Sequence, residues 1–178
     1  RILVCSVPQM AEHDLLPWPE HWAEIDFLFS SLANLKSHAN VLLSLHPRSD
    51  INQYLPKAEK YGLIISRDYT YEHLIPLCDV FVATYSSTVT LAMACQKPSI
   101  VIDFYNLGYD YFDNVYGIEV CRTHNEFTEV LMRVFSNQIF YDQLVEGQAK
   151  SSEYWARFDG KVTERILDTV NELVAKGG

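Results

Sequence analysis

Positive charge is scarce in this sequence. Its 178 residues carry 14 Lys and Arg against 23 Asp and Glu, a formal net charge of -9. A broad, sequence-independent grip on nucleic acid or on an anionic membrane needs the opposite balance, so neither is expected as a partner. Any phosphate-bearing ligand has to be held by a few well-placed groups. Long hydrophobic runs are lacking as well: nothing approaches the ~18 uninterrupted apolar residues of a membrane span. No basic segment followed by an apolar one opens the chain as a secretory signal would. A cytoplasmic location is expected. Cysteine is limited to Cys5, Cys78, Cys95 and Cys121, all in apolar surroundings and none spaced as CxxC. They read as reduced, buried thiols. The six histidines show no HExxH or other metal-ligand spacing, so neither a metal nor another cofactor is expected. GxGxxG is absent, which removes the ordinary NAD or FAD fingerprint.

Apolar residues make up 48% of the chain and charged residues 21%, enough to build a sizeable core in a domain of this length. Short β-rich apolar runs alternate with helical patterns. The runs are Ile2–Val7, Val41–Leu45, Leu63–Ser66, Val80–Ala83, Ser99–Ile102 and Ile118–Cys121. Between them, Trp22, Ile25, Leu28, Leu32 and Leu35 recur at helical spacing, and residues near 51–61 form a helix ended by Gly62. Thr70 is placed to cap a short helix over Tyr71–Leu77, and Thr88–Cys95 form the next. Thr123 and Glu126 have capping-box spacing ahead of Phe127, Val130, Leu131 and Val134. A helix is expected over 138–149, and a last one after Asp159-Gly160 with Val162, Ile166, Val170 and Leu173 inward.

Strands alternating with helices mean right-handed βαβ units and a parallel sheet, and strands apolar throughout mean that helices cover both faces. The expectation is one α/β domain over 1–178: Rossmann-like, three-layered, with a six-stranded parallel sheet in the order 3-2-1-4-5-6. Such a sheet binds ligands beyond the carboxyl ends of its strands, where strand order reverses. After the first strand come Ser6-Val7-Pro8-Gln9. After the fourth come Thr84-Tyr85-Ser86-Ser87-Thr88, running straight into a helix. A helix start leaves backbone N–H groups unpaired and favours an anion, and three hydroxyls there can add donors. The plainer alternative is that Ser86 or Ser87 only caps the helix. After the second strand stand His46-Pro47-Arg48, where Arg48 offers a fork for phosphate and His46 a hydrogen bond or a proton-transfer group. A turn with a solvated arginine is the alternative. Arg67 follows the third strand, and Asp103 the fifth. Asp103 leads into the aromatic loop Phe104-Tyr105-Asn106-Leu107-Gly108-Tyr109, which either stacks a ligand or simply packs. Asp79, just ahead of the fourth strand, reads as structural. The convergence of His46, Arg48 and Arg67 on one sheet end of an acidic chain suggests a site for a nucleotide diphosphate.

Four stretches carry a family resemblance over nearly the whole chain. These are Leu43-Ser44-Leu45-His46-Pro47-Arg48, then Leu77-Cys78-Asp79-Val80-Phe81-Val82, then Ser86-Ser87-Thr88 with Met93-Ala94-Cys95-Gln96-Lys97-Pro98-Ser99-Ile100, and finally Phe158-Asp159-Gly160-Lys161 with Arg165-Ile166. In order and spacing the chain resembles the C-terminal, donor-binding half of GT-B glycosyltransferases. It is most similar to bacterial surface-polysaccharide and CDP-glycerol glycerophosphotransferase-like enzymes. The resemblance implies a glycosyltransferase that moves a sugar or polyol-phosphate from a UDP- or CDP-linked donor to a polysaccharide acceptor. Ser86, Ser87 and Thr88 would hold the pyrophosphate. His46 and Arg48 would serve catalysis by neutralising the leaving group, and Arg67, Asp103 and Gln9 would assist nucleotide binding. It also implies an N-terminal, acceptor-presenting domain of the same protein, through which peripheral membrane association could arise. The fragment alone would be inactive. The start at Arg1, directly on a strand-like run, fits a segment of something longer. Leu91 stands where many relatives carry a carboxylate that grips ribose, with Asp103 the candidate to replace it, and Gln96 stands where they have Gly before Lys-Pro. Two other readings share the fold: a UDP-N-acetylglucosamine 2-epimerase-like enzyme, and a non-catalytic Rossmann-like module for protein contacts.

Overall fold

Each apolar run becomes a short strand whose alternate residues face opposite ways. In a computed structural model, which describes residues 1–177, the strands are β1 (Ile2–Ser6), β2 (Asn40–Ser44), β3 (Ile64–Ser66), β4 (Val80–Ala83), β5 (Ser99–Ile102) and β6 (Ile118–Cys121). All five pairings are parallel, in the order β3-β2-β1-β4-β5-β6. The chain builds outward from β1 to β3, then returns to lay β4 on the other side of β1. The loops leaving β1 and β4 therefore diverge and open a crevice between them.

The helices are α1 (Trp18–Ala33), α2 (Ile51–Tyr61), α3 (Tyr71–Leu74, continued by a 3-10 turn over Ile75–Leu77), α4 (Ser87–Ala94), α5 (His124–Ser136), α6 (Gln138–Trp155) and α7 (Val162–Gly177). On one face of the sheet, Leu3, Cys5, Val80, Val82, Ile100 and Ile102 pack against α1, α2 and α5 through Ile25, Phe29, Tyr54, Phe127 and Leu131. On the other face, Val4, Phe81, Ala83 and Val101 meet Val89, Ala92 and Met93 of α4. The alternation is the period-two geometry of a strand buried on both sides. Burying each such side chain contributes about 1.5–3 kcal/mol, so the two clusters together set the three-layer arrangement.

Local chemistry sets the ends. Asp50 accepts from the Asn52 N–H to cap α2, whose C-terminus closes on Gly62 at φ 61°. Thr123 and Glu126 form the capping box of α5. Asp79 is structural, as read: its carboxylate accepts from the Ile2 N–H at 2.7 Å and locks the start of β1 against β4. Gly117, at φ 83°, and Gly147 of α6 bring two backbones together. A Cβ on Gly147 would lie 2.6 Å from the Gly117 nitrogen. The buried Gln148 amide then donates to the Gly117 carbonyl at 2.9 Å.

Three expectations need correction. Thr70 does not cap α3 with its side chain; its hydroxyl instead pairs with His73 Nδ1 at 3.0 Å. α6 runs on to Trp155 rather than stopping near 149. Most notably, Val162, Ile166, Val170 and Leu173 do not face inward: they are 49% to 65% exposed. Their spacing specifies an amphipathic helix but not what covers it. α1, α2 and α5 pack on one face of the sheet and α4 on the other, and among the described residues neither core cluster includes a side chain of α7.

Candidate functional site

The crevice at the β1/β4 reversal has a volume of about 480 Å³. Its floor is the loop after β1, from Ser6 to Met10. One wall is His46 and Pro47 with Tyr71 of α3, and the other is Thr84 to Thr88 at the start of α4. Leu107 and Tyr109, from the loop after β5, close the rim.

The α4 start is a donor surface. Ser86 sits just outside the helix in extended conformation, and its Oγ accepts from the Thr88 N–H at 3.2 Å. It accepts a second bond from the Thr88 hydroxyl at 2.9 Å. Ser86 is thus the cap that the plainer sequence reading proposed, and this arrangement also leaves its own proton free to point outward. Thr88 spends its proton on Ser86, so of the three hydroxyls only those of Ser86 and Ser87 can still donate. The backbone N–H groups of Ser86 and Ser87 make no hydrogen bond among the described residues. Two N–H groups, two O–H groups and the positive end of the helix dipole thus lie together at the start of α4, which suits an anion.

Across the crevice, the Arg48 backbone N–H donates to His46 Nδ1 at 3.1 Å. That bond makes Nδ1 an acceptor, so the proton of the neutral ring resides on Nε2 and is available to a ligand. The loops are tied together by Gln9, whose amide donates to the Ser49 hydroxyl at 2.5 Å. Tyr71 bridges β1 and β2: its hydroxyl accepts from Ser6 Oγ at 3.1 Å and donates to the Ser44 carbonyl at 3.3 Å. Burial raises the phenol's pKa above the ordinary tyrosine value, so Tyr71 stays neutral.

The structure brings Gln9, His46, Ser86, Ser87 and Thr88 around one cavity. It does not bring the other three there. Arg48 and Arg67 are exposed at neighbouring strand ends, outside the crevice lining. Asp103 is only 2% exposed. Its carboxylate accepts from the Leu107 N–H at 3.0 Å and shapes the loop after β5. Leu91 does not line the crevice either. The residues that sequence reading missed are Tyr71 and His13. Nothing in the spacing of either distinguishes it from an ordinary helix or loop residue.

A buried polar cluster fixes the loop after β1 from behind. Tyr54 donates to Glu12 Oε1 at 2.5 Å, and His21 Nε2 lies 3.0 Å from the same phenol oxygen. Since the phenol proton is committed to Glu12, His21 donates through Nε2, leaving Nδ1 as a buried acceptor without a partner. Burial pulls the pKa of His21 below its ordinary value, with Glu12 opposing and Lys57 adding to the drop. The ring is therefore held neutral. The same loop carries Gln9 and His13 into the crevice, so this cluster positions one of the crevice's sides.

Comparison with known proteins adds an independent line. Residues 20–172 match the family model described as CDP-Glycerol:Poly(glycerophosphate) glycerophosphotransferase. A search of curated proteins returns no match. Among solved structures, the chain is similar to MnaA of S. aureus in its UDP co-structure, with a TM-score of 0.66 and 14% identity over 98% of this chain and 46% of that one. It is similar to the wall teichoic acid polymerase TagF with CDPG, with a TM-score of 0.54 and 13% identity over 99% of this chain and 43% of that one. It also resembles the catalytic domain of cholesterol-alpha-glucosyltransferase from Helicobacter pylori, with a TM-score of 0.57 and 11% identity over 86% of this chain and 97% of that one. At these identities the likeness shows the fold, the Rossmann-like α/β architecture of GT-B enzymes. The chain spans less than half the length of MnaA and TagF.

Proposed function

Because the chain belongs to the CDP-glycerol:poly(glycerophosphate) glycerophosphotransferase family, we propose that its crevice holds the phosphates of a nucleotide-activated donor for transfer of a polyol-phosphate or sugar. The observation that carries this reading is the set of unpaired donors at the start of α4, facing the Nε2–H of His46 across the β1/β4 reversal. As the bond to the transferred unit breaks, negative charge collects on the departing nucleotide's phosphate. Donors fixed in place beforehand stabilise that charge without reorganising, and this lowers the barrier. In this reading Ser86 and Ser87 bind phosphate through N–H and O–H, and Thr88 orients Ser86. His46 adds a donor on the opposite side. Arg48 and Arg67, exposed at adjacent strand ends, supply attraction and can reach a ligand that extends beyond the crevice.

The donor is a CDP- or UDP-linked compound, and the acceptor is presented by a second domain, as a GT-B arrangement requires. We place the reaction in the cytoplasm. The family match favours transfer over epimerisation. Calorimetric titration with CDP, UDP, CMP, UMP and ADP tests the reading, repeated on Arg48→Ala and Ser86→Ala. Binding of a pyrimidine nucleotide, weakened by both substitutions, is the expected result. No binding to any nucleotide, or binding that neither substitution changes, would overturn it.

A further inference from the structure

A second cavity, of about 430 Å³, lies on the far side of the Ser86-Ser87 wall. Five aromatic rings line this open hollow: Tyr85, Tyr109, Tyr111, Phe112 and Trp155. They come from three separate elements: the turn before α4, the loop after β5 and the last residue of α6. The rings form a built assembly. Tyr85 donates to the Tyr109 carbonyl at 2.6 Å and stacks on Phe112, with ring centres 5.9 Å apart and planes 8° from parallel. Tyr109 and Tyr111 stack on each other at 5.2 Å, and Phe112 reaches Trp155 at 6.0 Å. Yet Tyr109 is 43% exposed and Tyr111 62%. Large rings fixed in position while open to solvent are the usual material of a ligand surface, because they offer area at little cost in conformational entropy.

The lining contains no charged residue. It therefore suits an uncharged group, in contrast to the donor-rich crevice next door. Its lining also carries hydroxyls: those of Ser87, Tyr109 and Tyr111 make no hydrogen bond among the described residues, while Thr90 spends its proton on the Ser87 carbonyl at 2.6 Å. A ring with one C–H face for the π surfaces and hydroxyls around its edge matches both features. We propose that this cavity is a subsite for an uncharged sugar ring, placed beside the phosphate position by the Ser86-Ser87 wall that the two cavities share. Its place in a transfer reaction rests on the donor reading above; its affinity for a sugar does not. Two sources of the ring share this chemistry, a sugar carried by the donor and a sugar of the acceptor glycan.

The chain has three tryptophans, Trp18, Trp22 and Trp155. Labelling with 5-fluorotryptophan gives three fluorine resonances, and Trp155→Phe assigns the one at the cavity. Titration with methyl glucoside and methyl N-acetylglucosaminide should shift the Trp155 resonance saturably and leave the other two in place. Cytidine and uridine should not move it. Tyr111→Ala should weaken the glycoside by about tenfold, as should Tyr111→Leu, which keeps apolar bulk but removes the π face. Both variants should bind UDP like the parent chain. If UDP-glucose binds more tightly than UDP and Tyr111→Ala removes the gain, the ring comes with the donor. If free glycosides bind without such a gain, it belongs to the acceptor. Glycoside binding without any nucleotide binding would leave this subsite standing and sink the donor reading. No Trp155 shift with either glycoside, a shift with nucleosides alone, or glycoside affinity unchanged in both Tyr111 variants would overturn the proposal.

Discussion

Ser86 does two things in this account, capping α4 and donating to a phosphate, and substitution can separate them. Ser86→Ala removes the oxygen that accepts from the Thr88 N–H and hydroxyl. Loss of a serine cap costs about 1 kcal/mol, or roughly 2–4 °C in Tm for a domain of this size. The same change removes one O–H donor to an anion, worth about 1.5–3 kcal/mol, so nucleotide affinity should fall about tenfold to a hundredfold. Ser86→Asp keeps a good cap and complements the helix dipole, so its Tm should stay at or above that of the parent. It also places a carboxylate where the phosphate is to sit. Two like charges about 4 Å apart near a protein surface repel by about 4 kcal/mol, an affinity loss of about a thousandfold. Thermal melts and calorimetric titration with CDP and UDP read the two quantities separately. The reasoning fails if Ser86→Asp binds nucleotide as the parent chain does, or if binding across the two variants simply follows Tm.

Other consequences concern the scaffold. In Gly147→Ala the new methyl would lie 2.6 Å from the Gly117 nitrogen and 3.0 Å from the Tyr116 carbonyl carbon, both backbone atoms that cannot swing away. Overpacking of this kind costs about 1–3 kcal/mol or more, only partly offset by up to about 1 kcal/mol of helix propensity. Urea unfolding should therefore show a net loss of about 1–2 kcal/mol, and equal or greater stability would refute the close approach. His21 is held neutral when folded, so below its ordinary pKa of 6.5 the unfolded chain takes up a proton that the folded chain refuses. Its contribution to stability is complete above pH 6.5 and declines as pH falls from there towards the lowered folded value, by no more than about 1.4 kcal/mol per unit. The difference in pH profile between the parent and His21→Gln should show that decline. Parallel profiles would contradict it. Thr123→Ala, which breaks the capping box of α5, should cost about 1 kcal/mol in the same urea assay; no change would mean that the box contributes nothing measurable.

Much of the crevice could be read from sequence because its parts are local. A strand ending in His46-Pro47, and hydroxyls running straight into a helix, are adjacent in the chain, and the parallel topology says where such ends meet. Ser86 as a cap and Asp79 as a structural tie are equally local. What escaped notice depends on long-range assembly. Tyr71 reaches the crevice through bonds to Ser6 and Ser44, neighbours that only folding provides. The aromatic cavity needs Trp155, more than forty residues after Phe112, and α6 was expected to stop short of it. His21 and Glu12 look like surface residues until Tyr54 is seen between them. Periodicity called for α7 correctly but gave no information about its neighbour, so the inward face assigned to Val162, Ile166, Val170 and Leu173 turned out exposed. Strand ends gathered Arg48 and Arg67 into one region. Arg67, however, follows the edge strand β3, two strands from the β1/β4 crevice, and Arg48 is exposed beside Pro47 outside the lining.

The central claim, that a donor nucleotide's phosphates rest on the start of α4, is tested most directly by a crystal structure of this chain soaked with CDP or with CDP-glycerol. The account predicts phosphate oxygens about 2.7–3.1 Å from the Ser86 and Ser87 N–H groups, with His46 Nε2 donating from the opposite wall. A nucleotide bound with its phosphates away from Ser86, Ser87 and His46 would contradict it.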